Sequence, residues 1–158
     1  MNPYARLLPL WMTLSLLFLA PAAEAMIQVD NGIAGARLGN TRAEVRAALG
    51  KPTKTATGTN DFGPFVRYTF AGGVRVFFQG KTNVTSVETT GLGDRTAKGI
   101  GVGSSEASLK AKVSGIKCET FGSARSCHTG DFLPGKRITD FRISGGKVAS
   151  VTVGLVID

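Results

Sequence analysis

The side chains able to do chemistry are few and scattered. One histidine, His128, and two cysteines, Cys118 and Cys127, stand with eleven acidic residues in a chain of 158. A nucleophilic triad needs a histidine base, an orienting carboxylate and a nucleophile on a strained turn, and no Gly-x-Ser-x-Gly segment is present. His128 adjoins Cys127, and a solvated or hydrogen-bonded ring on a short strand is the expected state. Asp30, Asp61 and Asp94 lie in turn-like stretches where aspartate normally bonds nearby backbone, and no carboxylate pair stands out for acid–base work. One histidine and a bridged cysteine pair do not close a zinc site, and no calcium-loop spacing occurs. The expectation is a protein that is not an enzyme, with no cofactor, no metal and no small-molecule substrate.

Two further motifs have a structural reading. Gly99-Ile100-Gly101-Val102-Gly103 precedes a helix-like block, where glycine amides can cradle an anion. The segment lacks the G-x-G-x-x-G spacing and a preceding buried strand, and its counterpart near Gly35 and Gly39 points to a turn. Cys118 and Cys127 are separated by eight residues rather than two, so they are expected to form a structural disulfide and not a redox pair. Closing so short a loop is worth about 2.5 to 3 kcal/mol in the chain-entropy model.

A disulfide presupposes export, and the amino terminus supplies the signal for it. Arg6 is followed by the apolar run Leu7 to Ala20, interrupted by Pro9, and by the small-residue triplet Ala23, Glu24, Ala25. This is the pattern of a signal peptide cleaved after Ala25, since a bilayer span takes roughly 20 apolar residues. No cysteine lies near the cleavage point to take a lipid, so the product is expected to be secreted or periplasmic, within the cell envelope. Arg6 and Glu24 cancel, so the remaining chain keeps the full net charge of +8.

The elements that would position these residues repeat. Sliding the chain by 64 residues lays the block from Leu38 to Leu49 over that from Val102 to Val113, and also Phe77 over Phe141, Val84 over Val148 and Val87 over Val151. Thr41 and Glu44 make a capping box, and Ser105 repeats the cap. Val45, Ala48 and Leu49, like Leu109 and Val113, form one narrow apolar stripe per helix. After each helix the period falls toward two. Phe65 to Phe70, Val74 to Phe78 and Val84 to Thr89 read as strands in the first half, and Lys117 to Phe121, Arg125 to Thr129, Ile138 to Ile143 and Lys147 to Val153 in the second. The expected fold is α+β: two tandem repeats, each a short helix followed by an antiparallel β-meander, their sheets forming one curved surface. Residues 1–25 are the signal peptide, 26–94 the first repeat and 95–158 the second.

The block Leu38-Gly39-Asn40-Thr41-Arg42-Ala43-Glu44-Val45-Arg46-Ala47-Ala48-Leu49-Gly50-Lys51-Pro52 resembles the helix of the SmpA/OmlA family of small outer-membrane lipoproteins. Its tandem use resembles the β-lactamase-inhibitory-protein fold, which implies one curved protein-binding surface. Without the signal segment the chain has no tryptophan and Tyr68 is its single tyrosine, so inhibition of a secreted or periplasmic enzyme such as a β-lactamase ranks below general protein binding.

In the first half Val66, Tyr68, Phe70, Val74, Val76 and Phe78 share one parity and make the better core face. Arg67, Arg75, Phe77 and Gln79 fall on the other, as candidate interface residues. The favoured function is an exported protein-binding module that meets another exported or envelope protein through its sheet face and hairpin tips. The alternative is adhesion to anionic wall polymer or a lipid surface. The basic residues are dispersed, Lys136-Arg137 being their one adjacent pair, so no specific nucleic-acid recognition is expected.

Overall fold

Glycines and two left-handed residues fold the first dozen positions back on themselves. The computed structural model describes residues 26–157, so the signal-peptide segment lies outside the described residues. β1 (Ile27–Gln28), β2 (Gly32–Ile33) and β3 (Ala36–Arg37) form a three-stranded antiparallel ribbon. Asp30 turns the first corner at φ 57, a conformation its short polar side chain tolerates. Gly32 is required, because a Cβ there would stand 2.1 Å from the Ala36 carbonyl oxygen. Ile27, Ile33 and Ala36 are buried against the rest of the core.

α1 (Arg42–Leu49) starts at Thr41, whose hydroxyl accepts from the Glu44 amide while the Glu44 carboxylate accepts from the Thr41 amide. Gly50, at φ 78, ends it. The chain then runs through β4 (Lys54–Asn60), β5 (Gly63–Thr69), β6 (Val74–Gln79) and β7 (Ser86–Thr89). α2 (Glu106–Lys112), capped by Ser105, leads to β8 (Lys117–Phe121), β9 (Ala124–His128), β10 (Arg137–Ser144) and β11 (Lys147–Leu155). Both helix starts are held alike: the Gly39 amide donates to Val84 and the Gly103 amide to Val148, while Val84 and Val148 donate back to Asn40 and Ser104.

The molecule is mostly β, which corrects the expected α+β arrangement of two helix-plus-meander repeats. β4 to β11 join one eight-stranded sheet in the order β4-β5-β6-β7-β11-β10-β9-β8, and the ribbon is a second sheet ahead of the first helix. The helices are only eight and seven residues long, and each buries a single side chain, Val45 or Leu109. A stripe that narrow cannot form a helical layer, so the sheet's own apolar face carries the core. Val66, Tyr68, Phe70, Val74, Val76 and Phe78 from one half meet Phe141, Ile143, Val148, Val151 and Val153 from the other in one continuous cluster.

The 64-residue overlay of Phe77 on Phe141 also fails. Phe141 is fully buried opposite Val151, whereas Phe77 is half-buried opposite Ser86. The counterpart of Phe141 is Val76, which pairs with Val87 on the core face. Val76 and Val87 pair across 11 residues whereas Phe141 and Val151 pair across 10, so the second hairpin is one residue shorter and the 64-residue offset lands one position off on β6, and a slip of one moves a side chain to the opposite face.

Candidate functional site

The helices and the ribbon cover one face of the large sheet and leave the other for polar side chains. Cross-strand partners point the same way, so the registers trace a polar row over all eight strands: Lys54, Thr69, Arg75, Glu88, Thr152, Asp140, His128 and Lys117. Arg75 donates to Glu88 at 2.6 Å. Beside this row Phe77 stacks on Phe65, ring centroids 4.8 Å apart and planes 24° from parallel. Gly58 makes room for that pair, since a Cβ there would lie 2.8 Å from the Phe65 ring. Arg67, Arg75, Phe77, Ser86, Glu88 and Thr152 together line a depression of about 140 Å³.

Three of the four candidate interface residues are therefore neighbours. Arg67 is exposed and has no ion-pair partner among the described residues. Gln79 has a different role: its amide nitrogen donates to the carbonyls of Phe62 and Gly63 at 2.8 and 3.0 Å, and its amide oxygen accepts from Asn60. It clamps the β4–β5 turn. Phe65, Ser86, Glu88 and Thr152 escaped the sequence reading, although the odd parity of Phe65 with Arg67 was a usable signal for the first of them.

At the far end of the row the structure departs from expectation. His128 is 3% exposed; its Nδ1 lies 3.4 Å from the Thr129 carbonyl oxygen, and its Nε2 has no hydrogen-bond partner among the described residues. The nearest carboxylate oxygen, on Glu119, lies 3.9 Å away. Phe132 covers the ring at a centroid distance of 4.5 Å. Burial pushes the Asp140 carboxyl above its ordinary value, against the opposing pull of Ser126, which donates its hydroxyl to Asp140, and of His128 and Arg142. That hydroxyl serves the carboxylate and not the imidazole, so Ser126, His128 and Asp140 are not in the relay order of a nucleophilic triad.

The cysteines form the disulfide Cys118–Cys127 across β8 and β9. Glu106 is the third member of a potential metal-ligand trio with them, but it offers no thiolate partner while that bond stands. Glu106 instead takes Arg125 through two bonds of 2.8 and 2.6 Å and Lys110 at 2.6 Å. Hydrogen bonding from Arg125, then from Lys110, pulls its carboxyl down to about 2. In the glycine-rich segment the amides that would hold an anion are occupied: Gly99 donates to Thr96, Gly101 to the Ser104 hydroxyl and Gly103 to Val148. It is a turn.

Neither a protein-family model nor a curated protein sequence matches the chain. Among solved structures it is similar to a DUF4309 family protein, YjgB, from Bacillus subtilis, at 15% identity over 83% of this chain and 88% of that one, with a TM-score of 0.52. It is also matched by an extracellular protein containing an SCP domain from Bacillus anthracis, at 10% identity and a TM-score of 0.48 over 74% of this chain. A cysteine-rich secretory protein from Staphylococcus aureus matches at 11% identity and a TM-score of 0.48 over 75% of this chain. The chain spans 43% and 44% of the latter two. These are not members of the lipoprotein or inhibitor families that the helix motif resembles, and the likeness to YjgB is one of fold.

Proposed function

We propose that this chain is an exported protein-binding module that engages its partner with the open sheet face around Phe77. The observation that carries the reading is the Phe65–Phe77 stack, half-buried in mid-sheet between two guanidinium groups, of which Arg67 has no ion-pair partner among the described residues. An aromatic platform with arginines at its rim is the composition of an interface centre. The complementary surface carries an apolar side chain for the ring and a carboxylate for Arg67. Export rests on the amino-terminal signal pattern and the disulfide, and it accords with the extracellular and secretory descriptions of two of the structures matched.

The test is a pull-down from envelope and secreted fractions at low and moderate salt, with wild type and a Phe77→Ala, Arg67→Ala variant. A discrete protein retained at moderate salt by the wild type and lost by the folded variant supports the reading. Capture of polymer at low salt only favours charge-driven adhesion, because counterion-dependent binding collapses as salt rises. If Phe77→Ala alone destabilises by about 3 to 5 kcal/mol, Phe77 is a packing residue and the interface assignment falls.

A further inference from the structure

Every neighbouring strand pair in the large sheet is antiparallel, so successive connections alternate between its two ends. One end gathers the β4–β5 turn with Phe62, the β6–β7 turn with Lys81, the β9–β10 loop with Phe132 and Leu133, and the exit from β11 at Ile157. Phe62, Phe132 and Leu133 are 51%, 51% and 54% exposed. The loop holds its apolar pair in place. The Leu133 amide donates to Asp131, Lys136 to Leu133, and Gly135 to Val156, which donates back to Lys136. The Phe132 ring keeps contact with His128.

Lys136 and Arg137 follow at once, and neither has an ion-pair partner among the described residues, whereas Lys117 is held by Asp131 at 2.6 Å. Five strand spacings separate the Phe62 turn from the Phe132 loop, which puts the two apolar prongs about 24 Å apart. A pair of prongs that far apart on one rim, with unpaired cations alongside, matches a plane with an apolar interior and an anionic surface better than it matches a pocket. The opposite end also exposes Phe121 and Leu92, but without an adjacent pair of cations.

We propose that this end of the sheet docks on an anionic phospholipid surface. Phe132 and Leu133 enter the headgroup boundary, Phe62 makes the second contact, and Lys136 and Arg137 stay at the level of the phosphates. The docked rim leaves the Phe77 face free, so this proposal does not depend on the protein-binding reading.

The experiment is co-sedimentation of the disulfide-intact protein, lacking the amino-terminal signal segment, with vesicles of phosphatidylcholine alone or mixed three to one with phosphatidylglycerol. Wild type is expected to sediment with the mixed vesicles and stay in solution with the neutral ones. Lys136→Ser with Arg137→Ser should weaken partitioning by about fivefold for each cation removed. Leu133→Ser should weaken it by about fivefold or more with an unchanged melting curve. Leu133 is the primary variant because Phe132→Ser also uncovers His128. Phe121→Ser should change nothing. Wild type remaining in solution with both vesicles, a Leu133→Ser variant that binds like wild type, or an equal loss in Phe121→Ser overturns the proposal. So does Leu133-dependent capture of an envelope protein without any vesicle binding, which makes the loop a protein-docking element.

Discussion

Glu106 concentrates more bonding than any other carboxylate in the second half of the chain. It joins α2 to β9 through Arg125 and closes the i,i+4 pair with Lys110 in the favourable acid-first order. Its carboxyl sits at about 2 in the folded protein against an ordinary 4.5, so the unfolded chain takes up that proton first on acidification. The stabilisation is full above about pH 4.5 and is lost as pH falls toward 2. Glu106→Gln should therefore cost about 1 kcal/mol at pH 7 and almost nothing near pH 2. Thermal melts of both proteins from pH 7 to pH 2 read this directly, and curves that stay parallel throughout would sink it. Asp140 has the opposite sign. Burial raises its carboxyl, so ionisation costs native stability as pH rises through the ordinary aspartate range; Asp140→Asn removes that offset, and its melting temperature should fall more steeply than the wild type's as pH drops through the same range. Only the Glu106–Lys110 spacing was legible in the sequence; Arg125 reaches Glu106 through the packing of α2 beside β9, and Asp140 meets Ser126 and His128 through the sheet register, neither of which local sequence announces. For His128 the expectation of a solvated or hydrogen-bonded ring fails on solvation, although Nδ1 lies 3.4 Å from the Thr129 carbonyl oxygen, because nothing in Cys127-His128-Thr129 announces that Phe132 folds over the ring.

Elements were legible where a periodic signal existed. The Thr41-x-x-Glu44 box is formed, and the second cap at Ser105 lacks the reciprocal carboxylate, its hydroxyl meeting Ser108 instead. Thr41→Ala should cost about 1 kcal/mol and Ser105→Ala less, measured by denaturant unfolding; equal losses would show that the reciprocal Glu44 bond adds nothing. The alternating runs after each helix became β5 to β11, the run from Val84 to Thr89 forming β7 over Ser86–Thr89. β4 had no such signal, since Lys54-Thr-Ala-Thr-Gly-Thr-Asn60 contains no large apolar residue. It is an edge strand whose side chains are mostly exposed, held by seven register pairs to β5 rather than by burial. The ribbon of β1 to β3 was equally hidden, its strands being two residues each. The Cys118–Cys127 bond was readable from spacing and export alone. Cys118→Ser with Cys127→Ser should lower stability by about 2.5 to 3 kcal/mol, with a far-ultraviolet spectrum unchanged because β9 remains paired to β10.

At the scale of the whole molecule, two apparent halves share one structure. β7 pairs with β11 through four residues, Val87 facing Val153 and Thr89 facing Val151, and all four of these side chains are fully buried. The Leu155 amide donates to Thr85 across the same seam. A second tie crosses farther: Asp30 in the ribbon accepts from the hydroxyls of Thr129 and Thr139 at 2.5 and 2.9 Å, 99 and 109 residues away. Separating residues 26–94 from 95–157 would expose the β7 and β11 edges, open the core cluster along its middle and strand the Asp30 carboxylate. Each piece would then have to offset its conformational entropy, of order 1 to 2 kcal/mol per residue, with half a core, which domains of 60 to 70 residues manage only marginally even when intact. The intact protein should therefore melt in a single transition, with calorimetric and van't Hoff enthalpies equal at about 0.7 kcal/mol per residue near 60 °C. Two resolved transitions, or an isolated 26–94 fragment with a dispersed amide spectrum, would instead establish that each half folds on its own and that the β7–β11 seam is a contact between finished units.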